Sequence, residues 1–308
     1  MRTIDILVIG EPLMEFAEVR RGDERLYMPG FGGDVSNTAV AAARQGAKAA
    51  IFTALGDDAF GRDFLELWDE EGVDRSSVIV REGGRTGIYF ISYGEEGHVF
   101  SYARTGSAAS QVTTEELPLR QIAAARILHA SGISQAISDS CADAVFAAMR
   151  HAKENGTVVS YDTNLRLRLW PLDRARAVIN AATALADIAL PGLDDARRLT
   201  GFDRPEDICA FYLDLGCGVV ALTLGKAGTM VATSQRTEVI PGRPVDAVDA
   251  TGAGDTFDGA FLAEWLVHRD PFRAAAYANG AAALSTLGQG AVAPMPKRSA
   301  VEAFLQGT

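Results

Sequence analysis

Short apolar runs rich in β-branched residues alternate with helical segments along most of this 308-residue chain. The first units are strands at residues 6–10 and 50–55, each followed by a helix, at residues 35–45 and 60–71. Parallel strands need a long crossover between them, usually a helix, so this alternation is typical of parallel βαβ units. The sequence therefore predicts an α/β fold in which a doubly wound, mostly parallel central sheet is flanked by helices.

The same alternation continues through the second half of the chain. Strands are predicted at residues 126–130, 157–161, 187–190 and 219–223, and helices at residues 138–155, 172–185, 205–215, 254–268 and 271–287. The length and an apolar content of 48% fit one large domain, residues 1–308, with a small inserted piece.

Two stretches interrupt the alternation with the pattern of antiparallel hairpins. One pairs residues 14–20 with 25–28, and the other pairs residues 86–93 with 98–104 through the turn Gly94-Glu95-Glu96-Gly97. They are the candidates for the inserted piece.

The second hairpin has one face of particular interest. A period of two places His98, Phe100, Tyr102 and Arg104 on that face. Either the face lines a ligand site, or the hairpin is an exposed edge in which Arg104 only adds solubility.

Charge and cysteine content limit the partners and the compartment. The net charge is −11, and the 29 basic residues are dispersed without a run that could track a phosphate backbone, which argues against nucleic acid. Cys141, Cys209 and Cys217 are odd in number and lack metal-site spacing, as is typical of a reduced compartment. No apolar stretch reaches the length of a membrane helix. We therefore expect a cytoplasmic protein that binds neither a membrane nor nucleic acid.

Residues 249–258, Asp-Ala-Thr-Gly-Ala-Gly-Asp-Thr-Phe-Asp, run directly into a predicted helix. Gly252 and Gly254 flank Ala253 and leave the backbone uncovered, so successive amides can bind one anion where the helix dipole is positive. Asp255 would repel a resting phosphate, but beside one it can accept the proton of a hydroxyl that attacks the phosphorus. The pattern favours a phosphotransferase. A tight turn with Asp255 as a helix cap is the alternative that this segment alone leaves open.

A second glycine-rich segment, residues 30–39, also opens a predicted helix. It contains Gly33, Asp34 and Asn37. Two such helix entrances in one chain indicate a ligand with two ends.

Together the two segments resemble the two signatures of the ribokinase family, the PfkB carbohydrate kinases, and intervening motifs follow in the family's order along nearly the whole chain. The resemblance implies a ribokinase-like fold in which two inserts, residues 12–31 and 84–106, form a β-sheet lid over the sugar. It also implies that Asp255 is the catalytic base and that the preceding Gly-Ala-Gly amides bind the transferred phosphate.

The resemblance further implies ATP as the phosphate donor, with Mg²⁺ held largely by phosphate and water. The family's nucleotide-binding positions match Thr223, Gly225, Gly228, Gly252, Gly254 and Asn279. For Asn279, a core-helix cap or surface amide fits equally well. Asp195 stands where the family carries a glutamate that helps to organise magnesium, although an ordinary helix-entry acid is the alternative. Asp249 is a candidate for a potassium site of the kind that related enzymes use.

Motifs around the expected sugar site resemble those of 2-keto-3-deoxygluconate kinases, most specifically residues 162–170, Asp-Thr-Asn-Leu-Arg-Leu-Arg-Leu-Trp. By this resemblance Arg104 and Arg166 hold the carboxylate of a sugar acid, and Tyr89 and Tyr102 contact its keto and hydroxyl end. Gly33 and Asp34 would bind hydroxyls, with Asn37 under the sugar. The chemistry agrees, because a neutral hexose has no group that requires two guanidinium forks.

Several alternatives stay open at this point. A fructokinase or another sugar kinase of the family is the nearest alternative function, and a non-catalytic regulator that binds nucleotide or sugar is the alternative from another class. The roles of Glu15 and Arg168 and the gluconate or galactonate stereochemistry are undetermined. A lid sheet with a free edge favours a homo-oligomer.

Overall fold

The computed structural model describes residues 2–22, 24–94 and 97–307. Within these residues the strands are β1 (Ile4–Ile9), β2 (Leu13–Arg21), β3 (Glu24–Gly32), β4 (Ala49–Phe52), β5 (Ala54–Gly56), β6 (Ile79–Arg81), β7 (Gly87–Gly94), β8 (Gly97–Ala103), β9 (Ala125–Ser131), β10 (Val158–Asp162), β11 (Ile188–Ala189), β12 (Val219–Thr223), β13 (Gly228–Ala232) and β14 (Thr237–Pro241). The helices are α1 (Asp34–Arg44), α2 (Ala59–Glu71), α3 (Leu119–Ala124), α4 (Gly132–Ala136), α5 (Asp139–Glu154), α6 (Leu172–Thr183), α7 (Leu193–Thr200), α8 (Pro205–Asp214), α9 (Ala253–His268), α10 (Pro271–Ser285) and α11 (Arg298–Gln306). The predicted turn residues Glu95 and Glu96, and the side chain of His98, lie outside this description.

Eight of the described strands form one sheet, in the order β14-β13-β12-β11-β10-β9-β1-β4. The strands from β12 to β4 pair in parallel, whereas β13 and β14 at one edge pair antiparallel. The prediction of a doubly wound, mostly parallel sheet flanked by helices is confirmed. The hairpin of β13 and β14 is not among the elements that the sequence pattern predicts.

The main sheet is buried on both faces. Ile6 and Val8 of β1 belong to one apolar core and Leu7 to the other, because successive side chains of a strand point in opposite directions. A strand covered on both faces has no polar side, which is why such strands are recognised in the sequence as continuous apolar runs.

Four strands form a second, smaller sheet in the order β3-β2-β7-β8. The two predicted hairpins, β2 with β3 and β7 with β8, are both present, and the parallel pairing of β2 with β7 joins them. One face of this sheet packs on the main body, where Phe16 contacts the ring of Phe60 and Phe31 that of Phe64. We call this second sheet the lid sheet.

One predicted strand, residues 50–55, is wrong in its extent. It divides into β4, at the edge of the main sheet, and β5, which pairs with β6 in a separate two-stranded sheet. Asp58 then caps α2 by accepting a 2.7 Å hydrogen bond from the amide of Gly61. The same carboxylate accepts a 2.7 Å bond from the amide of Thr86, which anchors the start of β7.

Helices α1 and α9 cross closely, and this crossing positions the site described next. A Cβ at Gly259 of α9 would lie 2.6 Å from the carbonyl oxygen of Thr38 and 2.6 Å from the Cβ of Ala41, both on α1. Only glycine therefore allows the two helices to approach this far. Among the described helices none has the length and apolar character needed to cross a membrane.

Candidate active site

A cavity of about 730 Å³ opens at the carboxyl ends of the main-sheet strands, with the lid sheet along one side. Glu11 follows β1, Asp162 ends β10 and Thr223 ends β12, and all three line the cavity. Ligands of open α/β sheets bind at this edge. The cavity is lined by twelve of the residues that the sequence analysis selects: Gly33, Asp34, Asn37, Tyr89, Tyr102, Arg104, Arg166, Asp195, Thr223, Gly252, Gly254 and Asp255.

Asp255 lies in the first turn of α9 and faces the cavity beside Asn37 of α1. The Nδ2 of Asn37 donates a 2.8 Å hydrogen bond to the Oδ2 of Asp255. Burial and the nearby carboxylate of Asp34 raise the pKa of Asp255 to about 7, while Asn37 and Arg166 hold it down. A carboxylate with this pKa can accept a proton near neutral pH.

The backbone ahead of Asp255 is open to an anion. Gly252 has a φ of 72°, a left-handed conformation that favours glycine, and Gly254 has open space where a Cβ would stand. Both line the positive end of the 16-residue helix α9. The amide of Ala253 donates a 3.2 Å bond to the carbonyl of Ala250, and Ala253 does not line the cavity, so its role in phosphate binding stays a prediction.

Two further carboxylates surround Asp255, and the sequence analysis assigns a role to neither of them. Asp162 and Asp258 line the cavity, and burial together with the neighbouring carboxylates raises the pKa of both well above the ordinary range. For Asp258 the spacing was an available signal, since three residues after Asp255 is the same face of the helix.

Asp34 and Asn37 present acceptors to the cavity. The Oγ of Ser131 donates to Asp34 Oδ2, and Nδ2 of Asn164 donates to the same oxygen at 3.4 Å. The Oδ1 atoms of Asp34 and Asn37 are both buried, and neither has a hydrogen-bond partner among the described residues. A buried acceptor without a partner is costly, so these two oxygens are candidates to accept hydrogen bonds from a ligand.

Each of the two arginines assigned to the sugar acid already faces a carboxylate. Arg104 is 9% exposed, and its Nε donates a 2.7 Å bond to Oε2 of the fully buried Glu11. Arg166 lies 3.5 Å from Asp195, with 46% of its side chain exposed. Burial raises the pKa of Glu11 and of Asp195, and the adjacent arginine lowers it in both cases. An anion bound at either guanidinium would therefore share it with a carboxylate of the protein.

The lid sheet contributes aromatic rings to the cavity. Tyr89 and Tyr102 stack with their ring centroids 5.9 Å apart, and the guanidinium of Arg104 lies 5.7 Å from the centroid of Tyr102. Arg168, whose role the sequence left open, donates from Nη1 to the carbonyl of Phe100 in β8. Arg168 thus connects the loop after β10 to the lid sheet.

The predicted nucleotide-binding residues divide into two groups. Thr223 lines the cavity, whereas Gly225 and Gly228 shape the turn into β13 without reaching it. The assignment of Asn279 to nucleotide binding gains no support from its contacts and stays a prediction. Its Oδ1 accepts a 2.7 Å bond from Thr229, and its Nδ2 donates to the carbonyls of β14, including a 3.1 Å bond to Ile240. The amide group of Asn279 ties α10 to the sheet edge.

The predicted cation ligands are also engaged with the backbone. Asp249 accepts a 2.9 Å bond from the amide of Thr251 and a 3.0 Å bond from that of Gly290, so it holds two loops together. Asp195 accepts a 3.0 Å bond from the amide of Leu165. Within the described residues no three His, Cys, Asp or Glu side chains cluster as a metal site. A potassium role for Asp249 and a magnesium role for Asp195 stay predictions.

Comparison with known proteins agrees with this architecture. The model of the pfkB family carbohydrate kinases matches residues 4–298. A 2-dehydro-3-deoxygluconokinase of Thermoproteus tenax is 34% identical over 96% of this chain and 93% of its own length. Fructokinase-1 of Zea mays is 33% identical over 96% of each chain.

Solved structures show the same fold. A PfkB protein from a Polaromonas species superposes with a TM-score of 0.89 and 30% identity over 98% of this chain and all of its own. A fructokinase from Vibrio cholerae, in a form with bound fructose, ADP and calcium ion, gives a TM-score of 0.87 and 29% identity over 98% of this chain and 99% of its own. The predictions of a ribokinase-like fold and of an ATP-dependent carbohydrate kinase are confirmed. With the family model matched along almost its entire length, the chain belongs to the pfkB family of carbohydrate kinases.

Proposed function

We propose that this kinase transfers the γ-phosphate of ATP to the terminal hydroxyl of 2-keto-3-deoxygluconate. The observation that carries the proposal is the presence of two guanidinium groups, Arg104 and Arg166, in the same cavity as the base Asp255. The substrate then needs a hydroxyl at one end and an anionic group at the other.

The exposure of Arg166 in the cavity supports an anionic substrate. Arg104 is buried against Glu11, whereas Arg166, 3.5 Å from Asp195, has 46% of its side chain exposed. A charge-assisted hydrogen bond from arginine contributes roughly 1.5–3 kcal/mol. One such bond is enough to favour a sugar acid over a neutral ketose by a factor of about ten or more.

The acceptors in the cavity fit the rest of the sugar. Asp34 and Asn37 each hold a buried oxygen that requires a donor, and a hydroxyl group supplies one. The hydroxyls of an aldonic acid chain lie between its carboxylate and its terminal carbon. The site thus offers donors for the acid end and acceptors for the middle of the chain.

Catalysis follows from the position of Asp255 at the entrance of α9. The carboxylate takes the proton of the terminal hydroxyl as its oxygen attacks the γ-phosphorus, and the bond to the β-phosphate oxygen breaks to release ADP. The helix dipole and the amides at Gly252 and Gly254 stabilise the negative charge that develops on the phosphoryl oxygens. Arg168, by joining the loop after β10 to β8, helps to keep water out when the lid sheet covers the substrate.

The phosphate donor fits the same helix entrance. Open space at Gly254 and the left-handed turn at Gly252 leave the backbone accessible to phosphate oxygens. Magnesium would arrive as the ATP complex and neutralise phosphate charge, and Asp195, which lines the cavity, is a candidate to interact with its water shell. A homo-oligomer and a cytoplasmic location remain part of the proposal.

Fructose phosphorylation is the second candidate, favoured by the internal pairing of Arg104 with Glu11 and by the equal similarity of a plant fructokinase. Steady-state release of ADP, measured with 2-keto-3-deoxygluconate, fructose, ribose and a nucleoside, separates the candidates. The proposal expects the highest kcat/KM for the sugar acid. A higher value for fructose would overturn it, and ADP release with none of the four would favour a binding regulator.

A further inference from the structure

Four residues form one cross-strand row on the cavity side of the lid sheet. Gly30 of β3 pairs with Glu15 of β2, Glu15 pairs with Tyr89 of β7, and Tyr89 pairs with Tyr102 of β8. Neighbours in such a row have side chains that lie side by side. The row therefore places a carboxylate directly beside the phenol that faces the sugar.

The contact inside this row is a hydrogen bond between two buried groups. The hydroxyl of Tyr89 donates to Oε2 of Glu15, and both side chains are buried. Tyr89 lines the cavity but Glu15 does not. Glu15 thus contacts the ligand site only through Tyr89.

Two glycines of β3 make room for the pair. A Cβ at Gly30 would lie 3.2 Å from Oε1 of Glu15, and a Cβ at Gly32 would overlap the Tyr89 hydroxyl. Larger residues at these positions would push the carboxylate or the phenol out of line. The local sequence is therefore adapted to hold the pair in this arrangement.

We infer that Glu15 is a positioning residue that fixes the single proton of Tyr89 and so leaves the phenol only lone pairs to offer the substrate. A tyrosine hydroxyl has one proton to donate, and Glu15 receives it. Tyr89 then recognises a hydroxyl of the sugar, which can donate, and does not bond a keto or carboxylate oxygen. By the resemblance, Tyr89 and Tyr102 contact the keto and hydroxyl end of the sugar acid, and a phenol without a free proton would serve a hydroxyl there.

Burial of both partners supports a persistent bond. Burial raises the pKa of Tyr89, so the phenol keeps its proton throughout the working pH range. Burial and the carboxylate of Asp249 raise the pKa of Glu15, while the bond from Tyr89 favours its ionised form. In its ionised form, Glu15 holds the proton donated by Tyr89.

Substrate analogues test the direction of this bond. The inference rests on the proposed function only in requiring that Tyr89 touches the sugar, whichever sugar is phosphorylated. We would compare kcat/KM above neutral pH for fructose and 2-keto-3-deoxygluconate with that for their monodeoxy and monofluoro analogues. Fluorine accepts weakly and donates nothing. At the position that Tyr89 contacts, the deoxy and the fluoro analogue should each have a kcat/KM about three- to tenfold below that of the parent sugar. The two reductions should be equal.

Variants of the protein identify which position of the sugar Tyr89 contacts. Tyr89→Phe should lower kcat/KM for the parent sugar about three- to tenfold. For the deoxy and fluoro analogues modified at the position that Tyr89 contacts, kcat/KM should stay the same as in the wild-type enzyme. Glu15→Met, of similar size, should release the proton of Tyr89, so that the fluoro analogue becomes better than the deoxy analogue by at least about threefold. Tyr27→Phe, in β3 of the same sheet but not lining the cavity, is the control that should preserve the wild-type pattern.

The outcomes separate this inference from the substrate proposal. A wild-type enzyme that prefers the fluoro over the deoxy analogue at the position identified by Tyr89→Phe would overturn the inference. If Tyr89→Phe alters kcat/KM for no sugar, Tyr89 does not contact the substrate. The inference then fails, because it requires that contact. If fructose alone is phosphorylated but the analogue pattern holds, the inference stands and only the sugar-acid proposal fails.

Discussion

Replacing Asp255, the proposed catalytic base, by its amide in Asp255→Asn should make the protein more stable while it removes turnover. The pKa of Asp255 is about 7 in the folded protein. An unfolded aspartate titrates near roughly 3.9, so the shift of about three units corresponds to a ceiling of about 4 kcal/mol. Because the carboxylate is only half-buried, solvent screening lowers the expected gain to about 2 kcal/mol.

The pH dependence of this gain has a definite sign. When folding raises the pKa of a carboxyl group, the group does not lower the free energy of unfolding at pH values below its pKa in the unfolded chain. The destabilisation grows as pH rises from there and levels off above the pKa in the folded protein. The advantage of Asp255→Asn should therefore grow from about pH 4 to about pH 7 and then level off. The asparagine can still accept the hydrogen bond from Asn37, so the fold around α1 and α9 is preserved.

Thermal and urea unfolding at several pH values measure this effect. For a chain of this size, about 2 kcal/mol corresponds to a rise in Tm of about 3 °C. Asp194→Asn is the matched control, because the side chain of Asp194 is 94% exposed and its loss should leave the pH dependence unchanged. In the same preparation kcat should fall at least about a hundredfold with ATP binding retained. An Asp255→Asn protein with no gain in stability, or with a gain that is independent of pH, would refute the assigned environment of Asp255.

Contacts at the crossing of α1 and α9 give three more expected outcomes. The kcat/KM of the wild-type enzyme should fall as pH drops through about 7, the pKa of Asp255, and a pH–rate profile checks this. Asn37→Ala removes the bond that favours ionised Asp255, so the acid limb should move up by about one pH unit; an unchanged limb would contradict the contact. Gly259→Ala should cost about 1–3 kcal/mol in urea unfolding, because its Cβ would lie 2.6 Å from the carbonyl of Thr38. Gly254→Ala, with open space around its Cβ, should cost less than this, and equal losses would argue against the close crossing.

Local patterns in the sequence predicted much of the fold and part of the candidate site. Strand and helix periodicity predicted the parallel sheet because each βαβ unit is contiguous in sequence. The glycine segments predicted the helix entrances because Gly33 and Gly252 adopt φ values of 93° and 72°. Such conformations are unfavourable for most other residues, so the glycines that adopt them can be recognised in the sequence.

Local sequence patterns could not predict contacts between segments that are far apart in the chain. Glu11 and Arg104 are 93 residues apart, and only the folded chain shows that the arginine is already matched by a buried carboxylate. The parallel pairing of β2 with β7 is equally non-local. Asn279 shows the opposite problem, because one amide in a helix fits either a ligand contact or a structural tie, and its partners decide between them.

The sugar-acid specificity of the site is tested most directly at Arg166. Replacing Arg104 would leave the buried Glu11 without its partner and could unfold the chain, whereas Asp195 beside Arg166 is partly exposed. Arg166 also lowers the pKa of Asp255, so the variant should be assayed above neutral pH. Arg174→Met, an exposed arginine that does not line the cavity, is the control.

The measurement is the ratio of kcat/KM for 2-keto-3-deoxygluconate to that for fructose, in the wild-type enzyme and in Arg166→Met. Loss of a charge-assisted bond to the carboxylate should reduce this ratio by about tenfold or more. The control should keep the wild-type ratio. Equal losses for both sugars in Arg166→Met would contradict the recognition of a sugar acid.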